Sequence, residues 1–136
     1  MLDETVSGTR VPIRCDNDVV VASQKGRGLA AKLGLSNDDQ MAIVVAILEV
    51  ARNIIKYARS GEIVLSSVRQ GGRCGIAIVA RDRGPGILDV ERALQDGYST
   101  GQGLGLGLPG ARRLMDEFKI VSEVGKGTTI EMKKWE

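Results

Sequence analysis

Val11 and Ile13 alternate with Arg10, Pro12 and Arg14, a period of two that predicts a short strand over residues 9–15. Asp16 to Asp18 then offer capping side chains to a helix over 19–33 that Gly34 closes. Gly26 and Gly28 lower the propensity of that helix and permit a close approach to it. Ser36, followed three residues later by Asp39, resembles a capping box, and the helix it opens runs to about residue 58, before Ser60-Gly61. On that helix Val44, Leu48, Ala51, Ile55 and Ala58 share one stripe, the expected core face. Ile43, Ile47, Val50, Ile54 and Tyr57 widen the apolar arc, leaving Glu49, Arg52, Asn53 and Lys56 in a polar window. Residues 62–68 and 73–81 read as strands of a hairpin turned by Gln70-Gly71-Gly72. A glycine-proline loop follows, then a short helix over 88–94, a polar glycine-rich stretch over 95–105, and a helix over 108–117. Residues 119–123 and 128–134 form a last hairpin around Val124-Gly125-Lys126-Gly127.

The order β-α-α-β-β-α-α-β-β predicts one α+β domain over residues 1–136, a two-layer sandwich with helices on one face of a mainly antiparallel sheet. Rossmann and P-loop folds need parallel βαβ units, which this order does not supply. Aromatic residues are 3% of the chain, so its core must be aliphatic. The net charge is +2 with basic residues scattered, unlike the basic, aromatic-studded stripe of a nucleic-acid surface. There is no histidine, and Cys15 and Cys74 stand apart, which argues against a zinc site, a disulfide framework and histidine-based acid–base catalysis. Met1 to Thr9 is polar and no apolar run approaches spanning length, so the expectation is a cytoplasmic protein that does not enter a membrane.

Three segments carry candidate chemistry. Asp82 continues the face of Cys74, Ile76, Ile78 and Ala80, so a carboxylate ends a buried strand face immediately before Gly84-Pro85-Gly86. It either caps that turn or meets a ligand donor. Glu49 and Asn53 lie one helical turn apart, an arrangement that suits either a hydrated Mg²⁺ or a solvated face with Glu49 paired to Arg52 or Lys56. The alternating run Gly101 to Gly110 leads into a helix, as an anion-binding loop or a flexible hinge would, and it lacks the Walker lysine.

Glu49-Val-Ala-Arg-Asn53, Asp82-Arg-Gly84-Pro-Gly86 and Gly103-Leu-Gly105-Leu-Gly107, in that order, resemble the boxes of the GHKL superfamily of ATP-binding domains, which share the Bergerat fold. Gly125-Lys-Gly127-Thr128 resembles the final box of the same superfamily. Within it, the stretches Asp96-Gly-Tyr-Ser-Thr100 and Leu114-Met-Asp-Glu-Phe118 are similar to small serine/threonine kinases of partner-switching systems, the RsbT type. The resemblance implies ATP and Mg²⁺ as cofactors, with Asn53 and Glu49 toward the metal and Glu49 as the general base. It also implies that Asp82 accepts from the adenine amino group while Gly84 and Gly86 shape the pocket. Gly103, Leu104, Gly105, Leu106 and Gly107 would wrap the phosphates, and Thr128 or Thr129 would place a hydroxyl near the base. The partner it implies is a STAS-domain antagonist protein carrying the phosphorylated hydroxyl, with a PP2C-type phosphatase or a stressosome complex as further partners. An ATP-dependent anti-sigma factor, or another nucleotide-gated protein-binding module, shares the same boxes and is the alternative.

Overall fold

A computed structural model of the chain describes residues 8–86, 94 and 107–136. Five strands, β1 (Thr9–Ile13), β2 (Gly61–Gln70), β3 (Arg73–Asp82), β4 (Glu117–Glu123) and β5 (Gly127–Trp135), form one sheet in the order β1-β2-β3-β5-β4. Every pairing is antiparallel. Helices α1 (Asp16–Lys32), α2 (Asn37–Ala58) and α3 (Gly107–Leu114) are described with it. The expected helix over 88–94 lies outside the described residues.

The two-residue period of the strands sorts their side chains as expected. Val11, Ile13, Ile63, Leu65, Ile76, Ile78, Ala80, Ile130 and Met132 are buried together on the face that meets the helices. The opposite face carries Arg10, Glu62, Arg81, Thr129 and Glu131, as the registers of β1, β2, β3 and β5 require.

Two details of the helices differ from the sequence reading. α1 begins at Asp16, three residues early, and its N-cap Cys15 makes no side-chain cap bond. Asp18 instead reaches backward and accepts from the backbone N–H of Arg14, the residue before the N-cap, at 2.9 Å. In α2 the fully buried positions are Ile43, Ala46, Ile47, Glu49, Val50, Ala51 and Ile54, whereas Val44, Leu48, Ile55 and Ala58 are half-buried. The expected core stripe is therefore rotated. Two apolar stripes overlap on this helix, and periodicity cannot rank them. Packing does so, because α1 lies against Ile43 and Ile47, with Ile47 filling the space that a Cβ on Gly26 would need. The Ser36 cap is present, with its hydroxyl oxygen accepting from the Asp39 N–H at 3.1 Å.

β4 begins at Glu117, where the sequence pattern still predicts α3. Asp116 ends the helix by pairing outward: its N–H donates to the Lys133 carbonyl and its carboxylate accepts from the Trp135 N–H at 2.8 Å. Lys134, largely buried, donates to the Leu114 carbonyl at 2.9 Å and satisfies one of the free acceptors at the end of α3.

Candidate nucleotide site

The residues singled out in the sequence fall into two clusters joined by α2. In the first, Glu49 is only 8% exposed although it belongs to the polar window of the helix. Its Oε1 accepts from the backbone N–H of Gly107, the first residue of α3, at 3.1 Å. A carboxylate there also lies at the positive end of the α3 dipole. Its Oε2 is buried and accepts no hydrogen bond among the described residues. The nearest cation is the half-exposed guanidinium of Arg52 at 3.8 Å, too far for a hydrogen bond. A buried carboxylate oxygen without a donor is costly and marks a position where a hydrogen-bond donor or a cation would be stabilised. One turn further along α2, Asn53 is half-buried and its amide makes no hydrogen bond with the described residues.

In the second cluster, Asp82 Oδ1 accepts from the N–H of Gly84 at 2.9 Å and from the N–H of Thr128 at 3.3 Å. Asp82 is thus a cap for its own turn, one of the two readings left open by the sequence. Its second oxygen makes no bond with the described residues and remains available to a donor. Thr128 is 5% exposed, and its hydroxyl lies 2.8 Å from that of Ser122. The strand period turns Thr129 to the opposite face of the sheet, away from the Asp82 carboxylate. Thr128 and Thr129 are therefore not interchangeable.

Gly84 and Gly86 are demanded by the packing of the chain itself. A Cβ on Gly84 would press on Ala58 at the end of α2, and one on Gly86, at φ +81°, would meet the Glu123 carbonyl. The loop is pinned further by the Gly125 N–H, which donates to the Pro85 carbonyl at 2.9 Å. Gly127 is the tightest position, since at φ +120° its Cβ would strike the Asp82 carbonyl and Arg83 Cα. Gly127→Ala is expected to destabilise the fold by about 2–4 kcal/mol, the sum of overpacking and left-handed backbone strain. A chemical denaturation midpoint equal to that of the wild type would contradict this account.

α2 connects the clusters. Glu49 and Asn53 lie one turn apart, and Ala58, against Gly84, follows at the helix end, about 13 Å from Glu49 along the axis. Gly103, Leu104, Gly105 and Leu106 lie outside the described residues. Of the glycine run, Gly107 is placed, and it is placed on Glu49. Sequence reasoning missed Ser122 as a neighbour of the site, whereas Arg52, which it names beside Glu49, lies 3.8 Å from that carboxylate. Ser122 could have been found by pairing the last hairpin outward from its turn, which sets Ser122 opposite Thr128. For the approach of Gly107 to Glu49 the sequence held no local signal.

The hard oxygen donors of Glu49 and Asn53, one of them unpaired and buried, fit a hydrated Mg²⁺, which takes few protein ligands and keeps several waters. Among the described residues no group of three or more acidic, cysteine or histidine side chains competes as a metal site.

Residues 14–134 match the family described as the histidine kinase-like ATPase domain, and the chain belongs to that family. It is 48% identical over 125 residues to the serine/threonine-protein kinase RsbT of Bacillus subtilis, covering 92% of this chain and 94% of that protein. It is 34% identical over 112 residues to an anti-sigma F factor of Halalkalibacterium halodurans, covering 76% of this chain and 75% of that protein. The solved RsbU and RsbW domains of a Mycobacterium tuberculosis protein superpose with a TM-score of 0.58 at 20% identity. That match covers 93% of this chain and 32% of the longer one, and it speaks for the fold. Among the described residues no helix is long and apolar enough to cross a membrane.

Proposed function

We propose that this chain is an ATP-dependent protein serine/threonine kinase of partner-switching type, phosphorylating a hydroxyl on a STAS-domain antagonist protein. The observation that carries the reading is Glu49, a buried carboxylate with one oxygen tied to Gly107 and the other without a donor. Glu49 Oε2 accepts the proton of the attacking hydroxyl, whose oxygen takes the γ-phosphoryl group as ADP leaves. The Gly107 N–H holds the carboxylate in position through Oε1, so the base is oriented before the substrate arrives. Asp82 presents its second oxygen to the adenine amino group, with its first locked by Gly84 and Thr128. Asn53, with Glu49, would hold Mg²⁺, which when bound supplies neutralisation of phosphate charge. By likeness to the RsbT type, release from the antagonist frees the chain to activate a PP2C-type phosphatase, and the antagonist belongs to a stressosome complex.

The anti-sigma relatives favour a second reading, in which nucleotide-dependent protein binding is the task and transfer is secondary. Purified chain, a STAS-domain protein and γ-labelled ATP separate the two. Label on a serine or threonine of the STAS protein is expected. A stable, ATP-dependent complex that never acquires label would replace the kinase reading with the second one.

A further inference from the structure

On the helix-free face of the sheet, at its Asp82 end, lies a cavity of about 770 Å³ lined by Arg10, Arg14, Glu62, Arg81, Asp82 and Arg83, among others. Its centre is already satisfied. Glu62 accepts from Arg10 Nη1 at 3.0 and 3.1 Å and from Arg81 Nη2 at 2.8 Å, so two arginines share one carboxylate. Arg14 and Arg83 are different. Neither side chain makes a hydrogen bond or ion pair with the described residues, and both are exposed. The Asp82 carboxylate pairs with neither of them, its Oδ1 being taken by the N–H groups of Gly84 and Thr128.

The register sets the spacing of the two unpaired cations. Ile13, Gly61 and Asp82 are paired side by side, and Arg14 and Arg83 are the next residues beyond the two outer members of that row. Two strand spacings separate them, about 10 Å. That is also roughly the separation, about 9 Å, of side chains three residues apart on a polyproline II peptide, whose three-residue turn puts both on one side. A small inorganic anion can engage one of these arginines but not both. Guanidinium forks suit carboxylates well, as the Arg10–Glu62–Arg81 group demonstrates within the chain.

We infer that this cavity is a docking site for an acidic segment of a protein partner in polyproline II conformation, whose two carboxylates, three residues apart, pair with Arg14 and Arg83. The inference rests on the reading of the chain as an enzyme that acts on a protein, and it supplies the chemistry of recognition. By the strand period the arginine side chains take the helix-free face and the Asp82 carboxylate the other, with Asp82 lining the edge of the cavity between them.

The test uses the whole chain and a fluorescein-labelled Glu-Thr-Val-Glu peptide, blocked at its C-terminus, with anisotropy as the readout at low salt. Saturable binding is expected, about tenfold weaker for the Arg14→Ala/Arg83→Ala double variant and for a Gln-Thr-Val-Gln peptide. Saturating ADP and equimolar inorganic phosphate should leave it unchanged. Since neither arginine makes a structural contact, the variant should melt with the wild type. A charge-reversed variant, Arg14→Glu/Arg83→Glu, should prefer a Lys-Thr-Val-Lys peptide, which keeps the test decisive if the alanine pair misfolds. No binding by the wild type, equal binding by the alanine variant or the glutamine peptide, or displacement by ADP or phosphate would each overturn the docking site. Peptide binding requires no phosphoryl transfer, so a chain that binds the peptide but transfers no label refutes the kinase reading and spares the site.

Discussion

Glu49→Gln is expected to bind ATP with nearly wild-type affinity and to lose phosphoryl transfer by about 10²–10⁴-fold, the range associated with removing a positioned general base. The amide is the informative replacement. Its oxygen can still accept from the Gly107 N–H, so the start of α3 keeps the partner it has in the native chain. The amide nitrogen then takes the place of Oε2, so the site where a proton would be accepted is gone. Glu49→Ala should lose transfer too, but it empties a buried position and strands the Gly107 donor, adding about 1–3 kcal/mol of destabilisation. Single-turnover transfer of labelled phosphate, measured alongside ATP binding by calorimetry, distinguishes the two effects. Normal transfer by the glutamine variant would remove Glu49 from the role of base. Reduced ATP affinity with proportionate transfer would make it a binding residue instead.

The second large effect is at Asp82. Asp82→Asn is expected to fold normally and to weaken ATP binding by about 10–100-fold, the equivalent of one charge-assisted hydrogen bond replaced by a mismatch. Its amide oxygen can take over the two N–H donors of Gly84 and Thr128, which preserves the turn. The amide nitrogen then occupies the place of the free carboxylate oxygen and presents a donor to the adenine amino group, itself a donor. Asp82→Ala should be worse on both counts, because it leaves the N–H groups of Gly84 and Thr128 without that acceptor. Calorimetric titration with a non-hydrolysable ATP analogue, together with a thermal melt, reads both properties. Unchanged affinity in a folded Asp82→Asn variant would show that adenine is not held by this carboxylate.

The two residues illustrate how differently the sequence speaks about a site. Asp82 was legible because a strand period of two carries it onto the same face as Ile76, Ile78 and Ala80, and the structure buries those three as expected. Asn53 was legible as a neighbour of Glu49 through the helix period. The burial of Glu49 was not, because a glutamate flanked by Arg52 and Lys56 reads as solvated until α3 is laid across it. Gly84 and Gly86 were read as shaping the adenine pocket, and within the chain it is Ala58 and Glu123 that approach them. The end of α3 was misread for a related reason: residues 114–118 are compatible with helix locally, and pairing with Lys133 and Trp135 draws Asp116 and Glu117 into the sheet.

Order along the chain by itself determined the aliphatic core, the two hairpins with their glycine turns, the Ser36 cap, and the antiparallel sheet with helices on one face. All of these follow from interactions between residues close in sequence or from side-chain periodicity. Only the tertiary structure decided that Thr128 and not Thr129 meets Asp82, since that depends on pairing β3 with β5 across 46 residues. It alone placed Gly107 on Glu49, 58 residues away, and left one carboxylate oxygen buried without a donor. The physical reason is common to both: the electrostatics of a buried polar group are set by which distant backbone N–H reaches it, and no local pattern encodes that distance.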